Sequence, residues 1–333
     1  MDQTIEPVIS DLEVISDLEV ISDLEVISDL QVISDLKVIS DLNVISDLNV
    51  ISDLKPNIKH LVICGGGVSG FTAYRMIKER ALSGFLSMSN IQSIYGTSVG
   101  AILAVMLALK YSWEDIDVYL VKRPWQNVFK FDIQSLLYSY ENKGIFDQKV
   151  IHEILDPLIL GKGLEVDITM RELFEYTGIA IHVNTTELHS FENIDISHKT
   201  HPDWKVCDAV YCSACLPILF SPFLVEDKCY VDGGVCVNYA LNTCLENVDN
   251  PDEIFGITLT PLDPNKNIVR SDSNLFDHMS VLFNKLYHHS YLKTTPSIKY
   301  EEQIDQNKIS IFDILESASS SQMREEMITP INI

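Results

Sequence analysis

Leu61-Val62-Ile63-Cys64-Gly65-Gly66-Gly67-Val68-Ser69-Gly70, followed by Ile91-Gln92-Ser93-Ile94-Tyr95-Gly96-Thr97-Ser98-Val99-Gly100, is the stretch whose reading decides the fold. Each half is an apolar run that enters a glycine-rich turn, and each turn feeds a helical pattern. The order is β-turn-α-β-turn-α, which predicts an α/β domain with a parallel sheet. In such a sheet both turns lie at the carboxyl edge of the strands, where α/β folds place their chemistry.

Working outward, His60 to Cys64 reads as a first buried strand and Phe71 to Arg80 as the helix after it. Ile91 to Tyr95 is the second strand. Ser98 to Lys110 is a helix apolar nearly all round, hence central. Residues 111–160 read as a mainly helical insertion, with a helix from Gln148 to Leu155. A helix over Thr169–Tyr176 stops at Gly178, and a strand follows over Ile179–Asn184. Val206–Cys212 is helical, Lys228–Asp232 is a short strand, and Ile254–Thr260 is the last strand expected.

On the amino-terminal side, residues 8–55 are eight copies of Val-Ile-Ser-Asp-Leu-x. A six-residue step turns an α-helix by about 240°, so no single apolar stripe forms. A disordered or aggregation-prone arm and a repetitive ordered form both stay open, and the tract carries no chemistry. Composition changes abruptly at Pro56-Asn57. The expected organisation is therefore a repeat arm over 1–55, a globular domain over 57–262, and a polar tail over 263–333. Within the tail, Leu275, Phe276, Met279, Leu282, Phe283, Leu286, Tyr287 and Tyr291 fall at helical spacing, for packing on the domain or for a lipid surface.

The net charge of −24, of which −11 lies before Pro56, repels phosphate backbones and excludes a nucleic-acid partner and a polybasic membrane anchor. Any lipid contact has to be apolar. The seven cysteines are an odd count in a chain without a signal-peptide pattern, which favours a reducing, cytoplasmic or membrane-peripheral setting. Cys212-x-x-Cys215 has no second pair at zinc-ribbon spacing and reads as buried thiols; no metal and no cofactor are expected. The longest apolar helical run, Val99 to Leu109, has 11 residues, against the ~20 needed to span a bilayer.

Gly96-Thr97-Ser98-Val99-Gly100 has the G-x-S-x-G spacing of a nucleophile elbow, in the strand-turn-helix context that motif requires. Gly65 to Gly70 also fits the dinucleotide pattern G-x-G-x-x-G. A ribose-binding carboxylate about 20 residues on is missing, because the second strand ends in Tyr95-Gly96-Thr97-Ser98. Consecutive glycine amides, joined by that of Val99, can instead form an oxyanion hole for acyl transfer. A serine nucleophile needs a base. The histidines after Asp232 are His278, His288 and His289, all in the polar tail or its amphipathic helix. Asp232 ends a strand and precedes Gly233-Gly234, where a carboxylate can approach Ser98; the same tripeptide is also an ordinary turn.

Together, Gly65-Gly66-Gly67-Val68-Ser69-Gly70, Gly96-Thr97-Ser98-Val99-Gly100 and Asp232-Gly233-Gly234, in this order, resemble the patatin-like phospholipase family. Lys143-Gly144-Ile145-Phe146-Asp147, Asn184-Thr185-Thr186 and Ser213-Ala214-Cys215-Leu216-Pro217 add to the similarity, which covers about residues 57–262. The resemblance implies a three-layer α/β/α sandwich with a mainly parallel central sheet. It also implies a lipid acyl hydrolase with Ser98 as nucleophile, Asp232 as proton acceptor, and an oxyanion hole from Gly65, Gly66, Gly67 and Val99. Gly70, Gly96, Gly100, Gly233 and Gly234 are the remaining motif glycines. A phospholipid or other acyl ester is the implied substrate, met by transient contact with a membrane surface. Ser69 stands where the family pattern usually has a basic residue. Two other readings are a catalytically silent lipid-binding or assembly protein on the same fold and a histidine-dependent esterase.

Overall fold

The structure is a computed structural model that describes residues 56–130, 139–261, 263, 268–274, 277–279, 281, 282, 285, 296–305 and 312–330. The hexapeptide repeat lies outside these residues. So do Leu275, Phe276, Phe283, Leu286, Tyr287 and Tyr291 of the expected amphipathic helix.

The first apolar run forms β1 (His60–Ile63), and helix α1 (Ser69–Leu82) follows the glycine turn. β2 (Ser93–Thr97) is buried along its whole length and leads into α2 (Val99–Ala108). Eight of the ten residues of α2 are buried, as its uniformly apolar composition requires. α3 (Trp113–Lys122) begins at Ser112, whose hydroxyl accepts the Asp115 amide. A short β3 (Gly144–Phe146) precedes α4 (Lys149–Gly161).

Helix α4 runs six residues past the expected end at Leu155, straight through Pro157. A proline removes the hydrogen bond to the carbonyl four residues back, here that of Glu153. The Arg123 guanidinium donates to that carbonyl, so it is not left unsatisfied. α5 (Met170–Thr177) carries a reciprocal capping box between Thr169 and Glu172 and stops at Gly178, in the left-handed conformation at φ 69°.

The central strand β4 (Ala180–Glu187) is followed by β5 (Glu192–Ser197), α6 (Val206–Ala214), β6 (Ile218–Phe220), β7 (Phe223–Val225) and β8 (Lys228–Asp232). α7 (Leu241–Asn247), β9 (Ile254–Leu259), β10 (Tyr300–Ile304), α8 (Phe312–Ser319) and α9 (Ser321–Ile328) complete the order.

The main sheet runs β10-β9-β1-β2-β4-β8-β7, with β5 also on β4. β10, β9, β1, β2 and β4 are mutually parallel, whereas β5 and β8 run antiparallel to β4. Helices flank this mostly parallel sheet, giving the α/β/α architecture expected. Residues beyond 262, which the composition reads as a polar tail, add the edge strand β10 to this same sheet.

The register on β4 positions the site. β2 ends at Thr97 opposite Asn184, and β8 ends at Asp232 opposite Thr185. β5 takes one edge of β4 over residues 182–187, so β2 and β8 must share the other. The strand that delivers Ser98 therefore stops where the strand that delivers Asp232 arrives.

The carboxyl-terminal helix α9 packs on α1 and α3. Its Arg324 is 3% exposed and donates to the carbonyls of Leu120, Val121 and Arg123 at the end of α3, and of Ser317 and Ala318 in the last turn of α8. One guanidinium thus takes up the open carbonyls of two helix termini. Arg324→Ala is expected to cost about 3 kcal/mol, because it leaves buried acceptors without donors. Chemical denaturation reads this directly; an unchanged midpoint would contradict it.

Candidate active site

Ser98 lies between β2 and α2 with φ 54° and ψ −123°, a backbone conformation that costs on the order of 1–3 kcal/mol for a residue with a side chain. The turn is tight enough to exclude larger neighbours: a Cβ on Gly100 would lie 2.3 Å from the Ile63 carbonyl oxygen, and one on Gly96 would lie 2.4 Å from that of Gly100. Ser98 is the N-cap of α2, so the positive end of the helix faces its hydroxyl.

The strained residue is held from below. Its amide donates to Ser213 Oγ at 2.8 Å, and the Ser213 hydroxyl donates to the Asn184 carbonyl at 2.6 Å. Ser213 is fully buried in the last turn of α6, and this relay ties that helix and β4 to the elbow.

Asp232 ends β8 and caps a single helical turn over Gly233–Val235, accepting the Gly234 amide at 2.7 Å. Its own amide donates to the Cys215 carbonyl at 3.1 Å. The Asp232 carboxyl is buried, and burial pushes its pKa up to about 6, with hydrogen bonds from the Ser98 side chain and the Gly234 amide holding back part of the rise. Among the described residues no histidine hydrogen-bonds either Ser98 or Asp232. His278 is exposed, and His288 and His289 lie outside the described residues.

The glycine loop wraps over the serine: a Cβ on Gly65 would lie 3.0 Å from Ser98 Cβ. The Gly65 amide, however, donates to the Asn238 carbonyl at 3.2 Å, and Asn238 Nδ2 returns a bond to the Gly65 carbonyl at 3.1 Å. That pairing removes Gly65 from the expected set of oxyanion donors and gives it an anchoring role. Among the described residues no partner takes up the amides of Gly66, Gly67 or Val99. Gly67 has φ 55°, which turns the loop sharply, and the amides of Ser69 and Gly70 close back onto the carbonyls of Gly66 and Gly67. Ser69 is 1% exposed, tucked beneath Gly66. Gly70 packs against Val99, so the starts of α1 and α2 converge beside Ser98.

One contributor is not singled out by the motifs. Asn238, six residues after Asp232, anchors the glycine loop; its only signal is a polar residue in the apolar run from Val235 to Leu241. Asn184 donates to the Val237 carbonyl at 2.5 Å, and Thr97 donates to the same oxygen, so the segment after Asp232 is fixed to both β2 and β4.

A patatin-like phospholipase family model matches residues 61–245, from β1 through the segment after Asp232. The chain belongs to the patatin-like phospholipase family. This patatin-like domain is 27% identical over 215 residues to the "Probable lipid hydrolase 463L" of Invertebrate iridescent virus 6, covering 62% of this chain and 71% of that protein. It is 26% identical over 274 residues to the uncharacterized protein R571 of Acanthamoeba polyphaga mimivirus, covering 81% and 88%. Among solved structures it is similar to VipD from Legionella pneumophila, with 16% identity, a TM-score of 0.44, and coverage of 81% of this chain and 67% of that one. The patatin-like domain also matches ExoU of Pseudomonas aeruginosa, seen in complex with SpcU, with 13% identity, a TM-score of 0.36, and coverage of 82% and 52%.

Two outcomes follow from the geometry. Ser213→Ala leaves the Ser98 amide and the Asn184 carbonyl without their shared partner, and should cost about 1–3 kcal/mol in denaturant. Asp232 has a folded pKa of about 6 against an ordinary 3.8, so its contribution to stability is intact below the ordinary value and is lost as pH rises through about 6. Asp232→Asn should therefore gain stability relative to wild type between pH 4 and pH 8, by up to about 3 kcal/mol. A difference independent of pH would contradict the buried, proton-retaining carboxyl.

Proposed function

We propose that this patatin-like chain is a lipid acyl hydrolase that cleaves acyl esters of glycerophospholipids or related lipids through an acyl-enzyme on Ser98. The observation that carries the reading is the buried Asp232 carboxyl, hydrogen-bonded by the Ser98 side chain and raised to about 6. A base with that value is ionised at neutral pH yet basic enough to accept a proton from an attacking hydroxyl.

In this scheme Ser98 Oγ attacks the ester carbonyl carbon while its proton passes to Asp232. The negative oxygen of the tetrahedral intermediate is held by the amides of Gly66, Gly67 and Val99, next to the converging helix starts. Collapse breaks the bond to the alcohol, which leaves with the proton from Asp232. Water then loses a proton to Asp232 and adds to the acyl-enzyme, and collapse releases the fatty acid as Ser98 Oγ takes that proton back from Asp232.

Access from a membrane surface is supported by apolar side chains near the site. Leu188 and Phe191 are 43% and 61% exposed on the turn after β4, and Cys236 Sγ donates to the Phe191 carbonyl. Among the described residues no helix is long and apolar enough to cross a membrane. The net charge of −24 favours zwitterionic over anionic lipid.

Purified protein is expected to release fatty acid from phosphatidylcholine vesicles. Ser98→Ala and Asp232→Asn should each lower kcat by roughly 10³-fold or more. For wild type, kcat/KM should fall as pH drops through about 6, because the ionised carboxylate is the competent form. Unaltered turnover in either variant would overturn the assignment, and failure of a fluorophosphonate to label Ser98 would favour a silent lipid-binding protein.

A further inference from the structure

Away from the serine, His152 and Asp156 stand one turn apart on α4 and face Cys207 in the first turn of α6. One ligating atom from each side chain falls within 4.8 Å of the other two. His152 Nδ1 lies 3.1 Å from Asp156 Oδ1 and 3.3 Å from Oδ2, and Cys207 Sγ lies 3.6 Å from the same Oδ1.

His152 and Asp156 pair on the helix surface, and the fully buried Cys207, whose thiol donates to the same carboxylate oxygen, brings a third ligating atom to that point. The nitrogen–oxygen and sulfur–oxygen spacings match those around a tetrahedral ion, and the His152–Cys207 edge falls within 4.8 Å. Zinc bonds of about 2.0–2.1 Å to nitrogen and oxygen and about 2.3 Å to sulfur set nitrogen–oxygen edges near ~3.4 Å and sulfur–oxygen edges near ~3.5 Å. The donor set of one imidazole, one carboxylate and one thiolate is borderline-soft, unlike the all-oxygen sets of calcium and magnesium. Burial is graded in a way that admits an ion from solvent: the His152 and Asp156 side chains are 35% and 27% exposed, while Cys207 forms the floor. Nearby Asp208 is engaged by Gln148 and does not belong to the cluster.

We propose that His152, Asp156 and Cys207 form a binding site for a zinc-class divalent ion that clamps α6 to α4. Binding forms bonds from Nδ1, a carboxylate oxygen and Sγ to the metal, and the thiol proton leaves to solvent. The clamp acts on the helix that carries Ser213, six residues or about 9 Å further along its axis. The site is independent of the acyl-hydrolase reading and holds whether or not Ser98 is a nucleophile.

The test uses the full chain, freed of metal by a chelator and titrated with Co²⁺. The expected result is one ion per chain, with a thiolate-to-cobalt charge-transfer band and the visible bands of a tetrahedral ion, both displaced by Zn²⁺. His152→Gln, at a half-buried surface position, should weaken binding at least tenfold while leaving the fold intact. Cys207→Ser should abolish the charge-transfer band, and Cys236→Ser, at the partly exposed cysteine, should leave it unchanged. At a hundredfold excess over its dissociation constant, Zn²⁺ should raise the Tm of wild type by about 5 °C or more. No charge-transfer band in wild type, or equal Co²⁺ binding by wild type and His152→Gln, would overturn the proposal.

Discussion

The pairing register along one edge of β4 is the constraint on which the rest of the site depends. Asn184 and Thr185 are consecutive residues, yet the first faces the end of β2 and the second faces the end of β8. Two strands running in opposite directions thus meet head-on along a single neighbour, with Ser98 just past the end of β2 and Asp232 the last residue of β8. A slip of one residue would reverse which face each side chain occupies. The buried hydroxyls of Thr185 and Thr186 guard against it, donating to the carbonyls of Cys212 and Val231 and of Asp232 and Gly233.

Around this junction the polar groups are linked rather than merely close. Ser213 connects the strained Ser98 amide to Asn184, Asn184 connects to Val237, and Asn238 connects to Gly65. Each link joins a different element, so the elbow, the glycine loop and the turn after Asp232 hold one another in place. Hydrogen-bonded networks of this kind stabilise a buried site through their satisfied members, and here one atom, Asn184 Oδ1, is buried without a hydrogen-bond partner among the described residues. The cost of the Ser98 backbone conformation and of the buried Asp232 carboxyl is offset by this mutual support and by the apolar packing of α2 beneath it.

Much of this was legible in the sequence, because the deciding features are local. An apolar run that enters a glycine-rich turn, as at His60–Ile63 and Ser93–Thr97, announces a buried parallel strand, and Val99–Ala108 is too apolar to lie anywhere but inside. What escaped depends on distant partners. β5 over Glu192–Ser197 is absent from the strands expected; its short alternation of Asn and Asp with Ile lies on β4 by antiparallel pairing. β10 over Tyr300–Ile304 is mostly polar and joins the sheet by main-chain bonds to β9. The continuation of α4 through Pro157 needs Arg123, which is remote in sequence, to supply the missing donor. The same holds within the site: the glycine pattern marks Gly65, Gly66 and Gly67 alike, and only the fold shows that Asn238 occupies the first of the three amides.

The head-on meeting of β2 and β8 also bears on when the site comes into being. Ser98 belongs to a β-turn-α-β-turn-α unit whose contacts are short in sequence, whereas Asp232 reaches β4 only after β5, α6 and two further strands. Contacts of such long separation form late, since loop closure must precede the pairing that rewards it. On a ribosome, a chain exposed only as far as β4 has its elbow strand and α2 but lacks the acid altogether. The Ser98–Asp232 pair is thus completed by one of the later strands to emerge, and its assembly is coupled to closure of the sheet.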